Sequence, residues 1–195
     1  MTGPVLHVIV GPNGAGKSTL YTRVLGPETH LPFVNADLMY AEEPNRYADE
    51  YEAGMAAAEE RDALIARHRS FVTETVFSHP AKLQVLRDAR AADYLIHLHV
   101  VAIPADLAVA RVAHRVDHGG HDVPEEKIRL RYDRLWANVA NALPLVRDLT
   151  VYDNSKAADP LRVMARFHNG GPVRDSEWPA WAHPDLVSLD PRSRT

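Results

Sequence analysis

Blocks of apolar and polar residues alternate along this chain, and the period inside the blocks changes. Runs rich in Val, Ile and Leu at 5–10, 33–35, 70–76, 94–102 and 149–152 read as strands. Spacings of three and four mark the helices between them. Tyr47, Tyr51 and Met55 predict one helix from about 45 to 68, and Val109, Val112 and Val116 predict the buried stripe of another that starts near Pro104. Ile128, Tyr132, Leu135, Val139 and Leu143 predict a long helix that ends before Pro144, with Pro124 in its first turn and Asp122 with Glu125 as a capping box. Strands that alternate with helices imply a parallel sheet covered on both faces. Beyond Asn154 the period falls to two: Leu161, Val163, Ala165 and Phe167 alternate with Arg162, Met164, Arg166 and His168 ahead of Asn169-Gly170, the pattern of a β-hairpin. Prolines then recur at 172, 179, 184 and 191, and Trp178 and Trp181 are expected to anchor a tail that wraps the surface and ends in disorder.

The first strand run leads directly into Gly11, Pro12, Asn13, Gly14, Ala15, Gly16, Lys17, Ser18 and Thr19, a complete G-x-x-x-x-G-K-[ST] loop with helical sequence behind it. Glycines there let backbone N–H groups converge on phosphate oxygens, and the following helix adds its positive end. In such a loop the lysine reaches the β- and γ-phosphates and the hydroxyl of Ser18 coordinates Mg²⁺. The expectation is an α/β, P-loop NTPase fold: a parallel β-sheet flanked by helices, with a helical lid and a C-terminal β-hairpin. ATP and Mg²⁺ are the expected cofactors.

With 195 residues the chain has room for one such domain, read as 1–175 with a lid at about 104–142, and for a tail at 176–195. A net charge of −4 gives no global basic footprint, which argues against nucleic acid as a main partner. The absence of cysteine excludes disulfides, thiolate nucleophiles and Cys-ligated zinc. No apolar run is long enough to span a bilayer and no signal-peptide start is visible, so a cytoplasmic location is expected.

The phosphate loop alone does not choose a class. The chain has no LSGGQ-like signature, no strand ending in an Asp-Glu pair and no N-K-x-D base-recognition motif, which leaves a small-molecule kinase as the reading. Asp37, just past the second strand, is placed to meet an acceptor hydroxyl and take its proton, the competing reading being a helix cap. Glu74 is the one carboxylate on an apolar strand face with Val72 and Val76. It reads as a water-mediated Mg²⁺ contact or a substrate contact, or else as the partner of a core arginine. Arg111 and Arg115, four apart on one helix face, are expected to close over the triphosphate, with Arg131 as a further substrate contact, against the plainer reading of an exposed basic face. A Gly-Gly break at 119–120 suggests a mobile lid, on which His121 is a phosphate contact. His79 is a candidate substrate contact. His97 with His99, and His118 with His121, lack the carboxylate or cysteine that would complete a metal centre.

The segments GPNGAGKST, FVNAD, SFVTETVFSHPAKL, ARVAHRVDHGGHDVPEEKIRLRYDR and VYDNS, in that order from about residue 5 to 175, resemble the zeta toxin family of P-loop kinases in its short-chain branch. The resemblance implies ATP-dependent phosphorylation of a hydroxyl on a UDP-N-acetylamino sugar, and an antitoxin protein as partner. It implies Lys17 and Ser18 at phosphate and Mg²⁺, Asp37 as base, Glu74 at substrate and Arg111 with Arg115 as lid charge. Asn154, in VYDNS, would lie near adenine. Val76, Ser78 and His121 depart from the family's hydroxyl, basic and arginine residues on the sugar-nucleotide side, so the acceptor transfers least. Two other activities fit the phosphate loop: a nucleotide-binding switch or slow ATPase that acts through a protein partner, and a 5′-hydroxyl kinase of nucleic acid ends.

Overall fold

The computed structural model describes residues 3–43, 45–117 and 123–194. Strands β1 (Val5–Val10), β2 (Phe33–Val34), β3 (Phe71–Thr75), β4 (Leu95–Ala102), β5 (Asp148–Asp153), β6 (Arg162–His168) and β7 (Gly171–Pro172) form one sheet in the order β2-β3-β1-β4-β5-β6-β7. Pairing is parallel from β2 to β5, as expected for strands buried on both faces, and turns antiparallel at β5–β6. The expected hairpin is present but small: Asn169 (φ 48°) and Gly170 (φ 81°) turn β6 into the two-residue β7. The main partner of β6 is instead β5, which makes the sheet mixed.

Helices α1 (Lys17–Leu20), α2 (Gly26–Thr29), α3 (Ala36–Glu42), α4 (Glu50–Ala66), α5 (Lys82–Ala91), α6 (Ala105–Asp117), α7 (Glu125–Ala142) and α8 (Pro184–Val187) cover the sheet. A π-helical stretch, Tyr21–Leu25, joins α1 to α2. One core lies under α4, α5 and α7, built on Leu6, Val8, Val10, Phe71, Leu98, Leu135 and Trp136. A second lies under α1 and α6, built on Ile9, Leu20, Val72, Val101 and Val112.

Two helix boundaries correct the expectation. Helix α4 begins at Glu50, where Asp49 accepts a hydrogen bond from the Glu52 N–H, and not near Asn45. Of the residues whose spacing revealed it, Tyr51 and Met55 are 76% and 51% exposed; small residues, Ala53 and Ala57, with Leu64 make its buried face. Helix α7 begins at Glu125 with Pro124 as the extended residue before it, so Pro124 is not in the first turn. Asp122 lies outside the described residues. The stripe Ile128, Tyr132, Leu135 and Val139 is buried as its spacing requires, and α7 ends at Ala142.

The C-terminal segment joins the core: Trp178 and Trp181 pack on it, and Leu186 and Leu189 are buried. On the opposite sheet face, polar rings fill a lane across β1, β4 and β5. His7 stacks on His97 and His99 with centroids 5.0 and 5.3 Å apart, and His7 Nδ1 lies 3.0 Å from His99 Nε2. His99 Nδ1 lies 3.3 Å from the Tyr152 hydroxyl. Among the described residues no helix is long and apolar enough to cross a membrane.

Candidate active site

The chain crosses from β3 to β4 over β1, so the C-terminal ends of β1 and β3 open onto a crevice, the position where open α/β sheets bind ligands. The register sets Ile9 beside Glu74 and Val10 beside Thr75, so the loop that follows β1 runs next to the end of β3. A cleft of about 1130 Å³ occupies this edge, lined by the phosphate loop and by parts of α3, α4, α5, α6 and α7.

The loop's shape depends on glycine at three points. Gly11, Gly14 and Gly16 have φ of 158°, 73° and 92°. A Cβ on Gly11 would lie 2.4 Å from the Val101 carbonyl oxygen, and one on Gly16 would lie 2.4 Å from Asn154 Nδ2. That amide explains the closeness: Asn154 Nδ2 donates to the Ala15 carbonyl at 2.7 Å, while Asn154 Oδ1 accepts from the Leu161 N–H at 3.3 Å. Asn154, expected near adenine, is therefore a brace behind the phosphate loop. Arg111 works beside it, donating to the Gly14 and Asn154 carbonyls at 3.4 and 3.0 Å. Its guanidinium ties the phosphate loop to the end of β5 and, like Arg115, lines the cleft.

Lys17 is 8% exposed and donates to the Pro12 carbonyl at 3.1 Å, with Glu74 Oε1 at 3.9 Å. Burial lowers its pKa; Glu74 and then Asp37 oppose the shift, and Arg115 and Arg131 add to it. Lys17 therefore senses four of the five charged residues that the sequence suggested around it, Arg111 being the exception. Glu74 accepts from the Ser18 hydroxyl at 2.9 Å and from Asn35 Nδ2 at 3.2 Å, so its partners are a phosphate-loop residue and the residue that caps α3, and not a core arginine. Burial raises its pKa and Lys17 and Ser18 pull it back, with Asp37 again on the raising side.

Asp37 occupies the first turn of α3, exposed on the cleft wall, and it does not cap that helix. The cap is Asn35, whose Oδ1 accepts from the Asp37 and Leu38 N–H groups at 2.9 and 3.3 Å while its amide nitrogen holds Glu74. Asn35 thus ties Asp37 and Glu74 to one another. Sequence reasoning passed over it, although an Asn one residue ahead of a helix is an N-cap signal. Arg115, Arg131 and His79 line the cleft; His79 Nδ1 accepts from the Ala81 N–H at 3.1 Å. His121 lies outside the described residues, as do His118 and the Gly-Gly break.

The residues present fit a nucleoside triphosphate with Mg²⁺: left-handed glycines at two loop positions, a buried ammonium with one carbonyl and one distant carboxylate, and a hydroxyl beside a carboxylate. Asn13 Oδ1, in the same loop, is buried with no hydrogen-bond partner among the described residues. Phosphate loop, crossed-over parallel sheet and helical cover define a P-loop nucleotide-binding domain.

Residues 6–135 match the AAA domain family (AAA_33), and the chain belongs to it. No curated protein matches the chain. Among solved structures it is similar to a chain of the PezAT chromosomal toxin-antitoxin system of Streptococcus pneumoniae, at 17% identity and TM-score 0.66, over 97% of this chain and 79% of that one. It is similar to a chain of the AvrRxo1-ORF1:-ORF2 complex with ATP, at 14% identity and TM-score 0.70, over 95% and 70%. Shikimate kinase from Acinetobacter baumannii, in complex with shikimate, follows at 15% identity and TM-score 0.54, over 80% and 86%. At these identities the likeness is one of fold.

Proposed function

We propose that the protein is an ATP-dependent kinase that transfers the γ-phosphoryl group to a hydroxyl of a small molecule, with a nucleotide sugar as the first acceptor class to test. The observation that carries the reading is the convergence on one cleft of Lys17, Asp37, Glu74, Arg115 and Arg131, with Asp37 free of the capping role that Asn35 performs. ATP supplies the phosphoryl group and leaves as ADP, and Ser18 with Glu74 would hold the Mg²⁺ that would neutralise phosphate charge. Lys17 holds phosphate oxygens: burial leaves its ammonium poorly solvated, which lowers its pKa and which a bound anion would offset. Asp37 orients the acceptor hydroxyl and accepts its proton as the oxygen attacks phosphorus. Arg115 and Arg131 stabilise the charge that spreads over the transferring group. Arg111 and Asn154 keep the loop in shape. An antitoxin-like protein partner and a cytoplasmic location belong to this same reading.

Labelled ATP incubated with a metabolite extract tests it. Acceptor-dependent label is expected, and Asp37→Asn is expected to lower it about 10²- to 10⁴-fold with ATP affinity kept, the usual range for a general base. ATP turnover indifferent to metabolites and to that substitution would establish the switch or slow ATPase instead.

A further inference from the structure

The nucleotide site leaves three cationic side chains of the cleft unused: Lys127 of α7 and, on the β3 side, Arg61 and Lys82. Arg61, half-buried on α4, and Lys82, the exposed first residue of α5, both line the cleft with Glu74 and His79. Helix α4 leads into β3 and α5 follows it, so both cations approach from the β3 side, whereas the phosphate loop leaves β1.

Among the described residues neither side chain makes a hydrogen bond or an ion pair. The one carboxylate that offsets the burial of Arg61 is Asp62, its neighbour on the helix. Lys82 is lowered in pKa by burial and then by the positive charge of Arg61, so the two charges lie within electrostatic reach of one another. Two like charges held together in a partly desolvated wall destabilise the fold unless an anion joins them.

We propose that Arg61 and Lys82 form a docking subsite for an oxyanion group, phosphate or carboxylate, on the molecule that enters the cleft from the β3 side. The acceptor is then an anion as well as an alcohol. This rests on the kinase reading for the word acceptor, while the subsite itself stands on the two unpaired cations. Guanidinium and ammonium divide the work: Arg61 offers a planar fork to two oxygens, and Lys82 a point charge.

The test is calorimetric titration of inorganic phosphate, and separately of acetate, into protein saturated with Mg²⁺ and the non-hydrolysable analogue AMP-PNP, so that the phosphate loop is occupied. At least one anion is expected to bind. Arg61→Gln and Lys82→Gln are each expected to weaken it by about tenfold or more, as loss of a charge-assisted contact requires. Arg61→Lys is expected to keep part of the affinity, and AMP-PNP affinity is expected to change less than about twofold in every variant. Preference for phosphate over acetate assigns a phosphate-bearing molecule; the reverse assigns a carboxylate. Thermal melting of each variant verifies folding, and Lys82, being exposed, is the variant least coupled to stability. Absence of binding by both anions, or affinity unchanged in both Gln variants, overturns the subsite.

Phosphotransfer assays separate the two claims. Should the anion bind through Arg61 and Lys82 while no phosphate- or carboxylate-bearing alcohol accepts label, the subsite stands and the kinase reading falls. Should a neutral alcohol such as N-acetylglucosamine accept label in an Asp37-dependent way, with KM unchanged in both Gln variants, the kinase reading stands and the subsite falls.

Discussion

Gly16 and Asn154 are matched in size. The missing Cβ of one makes room for the carboxamide of the other, and that carboxamide fixes the Ala15 carbonyl from a strand far away in sequence. Replacing Asn154 with Ala removes two hydrogen bonds, Nδ2 to Ala15 O and Leu161 N to Oδ1, and frees the loop on that side. The expected outcome is a rise of about tenfold in nucleotide Kd, the weight of one to two net hydrogen bonds, with a smaller change in melting temperature. Titration with a fluorescent ATP analogue measures it; unchanged Kd would show the loop to be self-supporting. At this scale the phosphate-loop letters were legible because their chemistry is local. The braces were not, because Arg111 reaches Gly14 across 97 positions and Asn154 reaches Ala15 across 139. Nor does sequence alone separate Asn35 from Asp37 as the cap of α3, since either residue type suits that position.

Among the elements, α4 shows how a spacing can identify a helix while misplacing its faces. Tyr51 and Met55 recur helically and point to solvent, whereas alanines give the close approach to the sheet. Helix α7 behaves as expected of a periodic apolar stripe, and the same burial ties it down: Tyr132 donates to the Ile103 carbonyl at 3.0 Å, and Arg129 pairs with Asp106 of α6 at 2.9 Å. The histidine lane is a sheet-level feature, since three strands supply it. In the unfolded chain His7 and His99 titrate near 6.5, and burial lowers them in the fold to about 4 and about 3. Above pH 6.5 both states are neutral and the lane has no effect. As the pH falls from 6.5 toward 4 the unfolded chain gains protons that the folded one refuses, so stability is lost across that window. Urea midpoints at pH 7, 6 and 5 are expected to decline, and His7→Gln is expected to flatten the decline. Equal declines in both proteins would move the cause elsewhere.

For the whole molecule, the C-terminal segment completes the core that begins at β1. Leu186 and Leu189 are buried, Trp136 stacks on His183 at 6.0 Å, and Asp190 is buried, accepting from Ser176 and Arg192. Truncation after Asp175 removes both leucines from the core, a loss of roughly 3–6 kcal/mol at the usual value of a fully buried Leu. The truncated protein is expected to melt well below the full chain or to fail to fold, as scanning calorimetry would show. A melting temperature within a few degrees of the full chain would mean that the segment only rests on the surface. The mixed sheet belongs to this scale too. The alternation of 161–168 announced a strand, but a period of two does not say which neighbour will pair with it, and β5 offered a longer free edge than the two residues of β7.

Sequence by itself determined the phosphate loop, the parallel strands that frame it and the stripe of α7, because each is written in residues close together and in a period set by backbone geometry. Tertiary structure alone decided that Asn35 bridges Asp37 to Glu74, that Arg111 and Asn154 brace the loop, and that Arg61 and Lys82 line one cleft without an ion-pair partner among the described residues. Those facts depend on distances between segments that only the packing of the sheet and helices brings together.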